Sequence, residues 1–366
     1  NMATGWKFLN AYLDDKVCKN LLKNTYTNPT YVQSKAILPL LNNKDVVAIA
    51  TTGSGKTLAF VIPTILLIKQ NVKKLKKHMT CALIISPTQE LALQTHCVFK
   101  KMTAGSDLKP CLVIGGHKNK RHLDDYKEHG GHIMVSTPGV LESLLSNNSE
   151  GDSGMQDLLV SSFQYIEILI LDEADKLLEM GFDRQISLIT SYIPRQRRTG
   201  LYSATDSPDI QKLASFCLRN PVFFKCSDVA VCAKAPTQCL LPKNLKNYYM
   251  MVSFDNKFAS LSKFIQDHKN SKIIAFFATT FMVDYFGVLL SRLCEGQRLF
   301  MLHGKLKKKR LEIYQSFLRS KKDFIACVIF RGVLLTSDLL SRGVDIPSVD
   351  WIIQFEVPRK STSSTL

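Results

Sequence analysis

The sequence predicts an α/β chain of two domains, each built on a doubly wound parallel sheet, and three observations carry that prediction. Short apolar runs around Val46, Leu83, Val113, Met134, Ile168 and Leu201 alternate with segments of helical periodicity, the pattern of parallel strands joined by crossover helices. The pattern lapses between Ser227 and Asn244, where Pro236, Pro242 and polar residues replace periodic apolar ones, and then resumes with strand-like runs at Tyr248–Val252, Ile273–Phe277, Leu299–Leu302, Val333–Leu335 and Trp351–Phe355. With 366 residues, 45% of them hydrophobic, the chain can form two sizeable cores. The expected boundaries are a first domain over 1–226, a linker over 227–244 and a second domain over 245–366.

In the first domain the octapeptide Ala50-Thr51-Thr52-Gly53-Ser54-Gly55-Lys56-Thr57 follows the apolar run Val46–Ile49 and precedes a helix-compatible run. That is where a phosphate-binding loop belongs. The glycines let successive N–H groups turn toward phosphate oxygens, and the following helix presents the positive end of its dipole to the same anion. Lys56 would reach the outer phosphates and Thr57 would ligate Mg²⁺. A plain Gly/Ser turn is the alternative, and the full pattern between strand and helix disfavours it. A second run, Ile166–Leu171, reads as a buried strand ending in Asp172-Glu173-Ala174-Asp175. Residues just past the carboxyl end of a parallel strand face the ligand crevice. Asp172 could then hold hydrated Mg²⁺, while Glu173 orients and deprotonates a water. Upstream, the Gln33 amide can donate and accept at once, which suits the adenine edge of ATP, and Phe8 or Trp6 could stack on the base.

These residues resemble those of the DEAD-box RNA helicases, whose signature Asp172-Glu173-Ala174-Asp175 spells. Tyr26 to Gln33 resembles that family's adenine-reading Q motif, which would span 6–34 here. Pro87-Thr88-Gln89-Glu90-Leu91-Ala92, Gly115-Gly116 and Thr137-Pro138-Gly139 resemble its RNA-facing motifs. Ser203-Ala204-Thr205 resembles the motif coupling ATP state to RNA binding, and Ser337-Asp338 with Arg342-Gly343-Val344-Asp345 resembles motif V. The resemblance implies two RecA-like lobes with ATP in the cleft and RNA running across both. It also implies catalytic roles for Lys56, Asp172, Glu173, Ser203 and Thr205, and nucleotide contacts from Phe8, Tyr26, Gln33, the 50–57 loop, Gly343 and Asp345. RNA contacts are implied at Pro87, Thr88, Gly116, Thr137, Pro138, Gly139 and Ser337, with Mg²⁺ held through Thr57 and Asp172. Within the family, Asn247-Tyr248-Tyr249, Arg195 to Leu201 and His303 to Arg310 look most like the nucleolar helicases of large ribosomal subunit assembly. That likeness implies a precursor rRNA target, pre-ribosomal protein partners, a monomer, and a nuclear, nucleolar location.

Composition agrees with a nucleic-acid partner. Lys and Arg total 48 against 31 Asp and Glu, a formal charge of +17 and a pI near 9.4. Such a field attracts phosphate backbones in a salt-dependent, sequence-independent way. No apolar run approaches the length of a membrane span, and the N-terminal pattern is not that of a signal peptide, so an intracellular protein is expected. The 10 cysteines include Cys81, Cys111 and Cys327 inside apolar runs, where they read as small hydrophobes. Cys226, Cys232 and Cys239 are spaced too widely for a zinc knuckle.

Several positions depart from the family pattern. Gln89 and Val140 stand where the family usually has Arg, which predicts a weaker grip on RNA. The stretch between Phe317 and Ser337 is longer than usual and contains the apolar run Phe324–Phe330, either an extra edge strand or a gene-model artefact. Motif VI, with its arginine fingers, falls due only where the chain stops at Leu366, so the second lobe is expected to be incomplete and hydrolysis weakened. Two readings follow: an ATP-dependent RNA helicase, or a nucleotide-gated RNA clamp with little turnover.

Overall fold

The computed structural model describes residues 4–9, 12, 15–71, 75–115, 119–146, 153–226, 246–294, 296–306, 309–320, 332–337, 346 and 348–356. The chain divides into two compact units, Asn1–Val231 and Cys232–Leu366. The expected linker at 227–244 lies outside the described residues, as do Gly116, Gly343, Asp345, Cys327 and the run Phe324–Phe330.

The first unit is built on seven strands: β1 (Val46–Ala50), β2 (Ala82–Ile85), β3 (Pro110–Val113), β4 (Ile133–Ser136), β5 (Ile168–Leu171), β6 (Arg198–Ser203) and β7 (Val222–Cys226). Every pairing is parallel, in the order β3-β4-β2-β5-β6-β1-β7. Strands β1, β2, β4 and β5 are continuous runs of Val, Ile, Leu, Ala and Met closing on a serine or on apolar residues, and all their positions are buried. That is the composition of strands covered on both faces. Strand β7 escaped the sequence reading. It pairs only with β1 at the sheet edge and leaves Val222 and Phe223 exposed, so burial imposes no pattern on it.

The helices of this unit are α1 (Asp15–Lys23), α2 (Tyr31–Leu41), α3 (Lys56–Asn71), α4 (Gln89–Met102), α5 (Asn119–His129), α6 (Pro138–Leu145), α7 (Ser153–Phe163), α8 (Ala174–Glu179), α9 (Asp183–Ser191) and α10 (Pro208–Cys217). Helices α6 to α10 cover one face, packing Leu141, Leu159, Leu177, Ile186 and Ile210 against Leu83, Leu169 and Leu201. On the other face Phe60 of α3 meets Phe99 of α4 and, edge-on at 5.1 Å, Tyr202 of β6. At the end of the sheet where β1 begins, the buried Asp45 carboxylate accepts N–H bonds from Thr199 (2.7 Å) and Arg219 (2.6 Å), while its carbonyl accepts one from Val222 (2.8 Å). One aspartate thus ties β1 to β6 and β7.

The second unit carries β8 (Ile273–Phe276), β9 (Arg298–Leu302), β10 (Gly332–Thr336) and β11 (Trp351–Gln354), all parallel, in the order β11-β8-β10-β9. Helices α11 (Lys257–Asp267) and α12 (Thr280–Leu293) share one face of this sheet, and α13 (Arg310–Arg319) covers the other. The strand expected over Tyr248–Val252 is not formed. The segment joins no ladder among the described residues, and Tyr249 and Met251 stand almost fully exposed. Strand preference needs a neighbouring ladder to become a strand. Here the Tyr248 ring packs on Trp351 at 6.0 Å instead.

Candidate functional site

Because the sheet of the first unit is wholly parallel, the carboxyl ends of its strands open on one crevice. Apart from Phe8, Tyr26 and Gln33, which precede β1, the predicted residues described in this unit follow those ends. The 50–57 loop continues β1, Asp172 follows β5 and Ser203 closes β6; Pro87 and Thr88 follow β2, Gly115 follows β3 and Thr137 follows β4. Strand order sorts them. Of the residues at these strand ends, those expected to meet nucleotide lie on β5-β6-β1, and those expected to meet RNA lie on β3-β4-β2.

In the nucleotide half the loop backbone is left-handed at Gly53 (φ 77°) and Gly55 (φ 95°), a conformation that favours glycine. At Gly55 space adds a second restriction, since a Cβ would stand 2.6 Å from Nε2 of Gln33. Gln33, on α2, is buried. Its Nε2 donates to the Gly55 carbonyl (3.0 Å) and its Oε1 accepts the Thr30 N–H (2.8 Å). One amide hydrogen and one lone pair remain, enough for an adenine edge. Trp6 is a core anchor, 2% exposed, and donates Nε1–H to the Tyr26 carbonyl at 2.9 Å. Phe8, half-buried, stacks on Trp6 with ring centres 6.1 Å apart and is the better placed of the two for a base.

Lys56 and Glu173 form a buried ion pair, Nζ to Oε1 3.0 Å, with Nζ also donating to the Ala50 carbonyl at 3.0 Å. Ser54 Oγ donates to the Thr51 carbonyl (2.7 Å) and closes the loop, and Thr52 and Thr57 flank it partly exposed. Glu173 itself has φ 49° and ψ 56°, a left-handed backbone that costs a non-glycine residue roughly 1 kcal/mol or more. Its second oxygen, Oε2, is buried without a hydrogen-bond partner. Burial, and after it the neighbouring Glu173 carboxylate, pushes the Asp172 carboxyl up to about 7, although Lys56 pulls the other way. Burial likewise raises the Tyr202 phenol, with Asp172 the second cause. An orphaned carboxylate oxygen, a carboxyl held from ionising by burial and a neighbouring carboxylate, and a glycine loop with open space at Gly53 together fit a magnesium–triphosphate. Ser203 and Thr205 tie this half together. Ser203 Oγ donates to the Thr205 carbonyl (2.8 Å), and Thr205 Oγ1 donates to Oδ2 of Asp175 (3.2 Å), linking the ends of β6 and β5. Nothing in the one-dimensional pattern pairs Thr205 with Asp175.

The other half is built on helix N-caps, with the buried Glu90 carboxylate in the first turn of α4 beside them. Thr88 caps α4, its Oγ1 accepting the Leu91 N–H at 3.4 Å, and Pro87 beside it is buried. Thr137 stands at the N-cap of α6 with Pro138 in the first turn, and Gly139 is exposed with nothing within 4 Å of where a Cβ would be. Ser136 Oγ donates to the Val113 carbonyl at 2.5 Å and joins β4 to β3. In the second unit Ser337 lies just past β10, largely buried.

The family model for the DEAD/DEAH box helicase matches residues 30–213, just over half of the chain, and that for the helicase conserved C-terminal domain matches 256–365. The chain belongs to the DEAD/DEAH box helicase family. Among curated relatives in this family, the ATP-dependent RNA helicase DDX55 of Gallus gallus is 38% identical over 98% of this chain and 58% of its own length. That of Homo sapiens is 38% identical over 98% and 57%. The DEAD-box ATP-dependent RNA helicase 18 of Oryza sativa subsp. japonica is 36% identical over 96% and 53%. The chain therefore spans little more than half the length of these relatives. Among solved structures, Mss116p bound to ssRNA and AMP-PNP superposes with a TM-score of 0.76 at 25% identity, covering 98% of this chain and 70% of that one. Dbp5 of S. cerevisiae bound to RNA and ADP BeF3 gives 0.76 at 22% identity, over 98% and 82%, and supports the two-lobe fold alone.

Proposed function

We propose that this chain is the motor portion of an ATP-dependent RNA helicase that couples ATP hydrolysis to local opening of RNA duplexes. The observation that carries the reading is the division of one crevice into a half with a buried Lys56–Glu173 pair, built for magnesium–triphosphate, and a half of helix N-caps and the exposed Gly139 suited to a sugar–phosphate strand. Bound magnesium would neutralise phosphate charge and fix the orientation of the outer phosphoryl group, with Thr57 and Asp172 as its protein ligands. Lys56 would exchange Glu173 for the outer phosphates. Glu173, released from that pair and with Oε2 already unengaged, is then free to accept a proton from water. Gln33 reads the adenine, with Phe8 and Tyr26 beside it. Thr205 and Asp175 carry the state of the nucleotide half from β5 to β6.

Pro87, Thr88, Gly116, Thr137, Pro138, Gly139 and, in the second unit, Ser337 would hold the strand mainly through phosphate and sugar. Binding should therefore show little sequence preference. Gly343 and Asp345 complete the nucleotide contacts by resemblance. The run His303 to Arg310 and the DDX55-like sequence favour a precursor rRNA substrate in large-subunit assembly, in the nucleolus, with pre-ribosomal proteins as partners. The test is ATP hydrolysis by the purified chain with and without single-stranded RNA, against Glu173→Gln. RNA-stimulated turnover that Glu173→Gln abolishes while ATP still binds supports the reading. ATP-gated RNA binding with no turnover in either protein would make the chain a clamp instead.

A further inference from the structure

His303 stands one residue beyond β9, at the sheet end where Ser337 stands one residue beyond β10. The two strands pair with Leu302 opposite Thr336, so His303 and Ser337 come next in register. Side chains alternate along a strand. Met301 and Leu335 pack on the α12 side of the sheet, and Leu302 and Leu334 on the α13 side, so positions 303 and 337 both return to the α12 face. There Nε2 of His303 lies 2.8 Å from Oδ1 of Asp284 on α12. Three residues further along, Gly287 lets α12 sit directly on β9, since a Cβ would come 2.2 Å from Sδ of Met301.

The ring is 2% exposed, and its other nitrogen, Nδ1, is buried without a hydrogen-bond partner. A side chain serving only to fill space would do better as an apolar residue, because an unsatisfied buried nitrogen costs free energy. Behind the ring, the His303 carbonyl accepts the Leu306 N–H (3.1 Å) and the Leu306 carbonyl accepts the Arg310 N–H (3.0 Å), so the turn carrying exposed Lys305 into α13 is anchored at His303.

We propose that His303, held by Asp284, is a positioning residue for RNA in the second unit, acting through Ser337 and the 303–306 turn. It touches no RNA itself. It sets where a strand's phosphates meet Ser337 and Lys305. The inference rests on the RNA-binding reading of the chain. Its test is the affinity of the intact chain for a fluorescent oligouridine RNA with AMP-PNP and Mg²⁺, measured across salt concentrations. His303→Leu and Asp284→Ala should each weaken RNA binding about tenfold, because small misplacements of a binding group are costly. The slope of affinity against salt should not change, because no phosphate-contacting cation is removed. AMP-PNP affinity should hold, the double variant should lose no more than either single one, and His303→Gln, whose amide can still donate to Asp284, should recover most of the loss. A shallower salt slope would make His303 a direct phosphate contact, and RNA affinity unchanged in both single variants would leave it a packing residue; either result overturns the proposal alone. No RNA binding by the unmodified chain would overturn the RNA reading as well.

Discussion

The two halves of the first unit's crevice are held in place by different physics. On β5-β6-β1, Lys56, Asp172 and Glu173 are buried charges that stabilise or disturb one another. On β3-β4-β2, Thr88 and Thr137 are neutral residues fixed by helix starts and strand ends. Removing one member of a buried charged set strands the others, whereas losing a cap forfeits a single hydrogen bond. Substitutions should therefore be severe in the first half and mild in the second.

The largest expected effect is at Lys56. Lys56→Ala leaves Glu173 buried and unpaired, so the ligand-free chain should lose on the order of 3 kcal/mol of stability along with nucleotide binding. Adding Glu173→Gln should return most of the stability and none of the binding. Chemical denaturation with nucleotide titration checks both, and additive losses would break the claim that the two groups form one unit.

Next comes pH. The Asp172 carboxyl, pushed up to about 7, binds its proton more tightly folded than unfolded. Its contribution to the stability of the ligand-free chain is full below about pH 4, the ordinary carboxylate range, and is lost as pH rises through about 7. Magnesium–nucleotide affinity should run the other way, since binding must expel that proton. It should tighten by up to about tenfold per pH unit toward pH 7 and level off above. Asp172→Asn should flatten the stability profile, and an unaltered profile would show that another group titrates.

In the N-cap half, Thr88→Ala should cost about 1 kcal/mol or less through its cap, with a modest loss of RNA affinity and none of ATP affinity. Smallest of all is Gln89→Arg, which should tighten RNA binding slightly and steepen its salt dependence without changing stability. Val140→Arg is not an equal partner to it. Val140 packs partly buried against the core of the first unit, so a guanidinium there should destabilise the chain whatever it adds to RNA binding. An unchanged salt slope for Gln89→Arg would remove position 89 from the RNA path.

What the sequence revealed follows the same division. Buried parallel strands are continuous apolar runs, so six of the seven strands of the first unit were readable. The loop from Ala50 to Thr57 and the run from Asp172 to Asp175 are each contiguous in the chain. Edge strand β7 and the unpaired segment Tyr248–Val252 misled in opposite directions, because the local pattern does not say whether a neighbouring strand exists. Contacts between distant residues left no trace: Lys56 with Glu173, Thr205 with Asp175, Asp45 with Thr199 and Arg219, His303 with Asp284. Each depends on strand order, which no short window of sequence contains. The sequence could place the chemistry on the right strands; only the fold sorts those strands into halves.

Amide hydrogen exchange of the chain with each ligand alone tests that sorting most directly. AMP-PNP with Mg²⁺ should protect residues 50–57 and 172–175, and oligouridine RNA should protect 87–92 and 137–141. Nucleotide protection at 87–92 without any at 50–57, or RNA protection confined to the 50–57 loop, would contradict the division of the crevice.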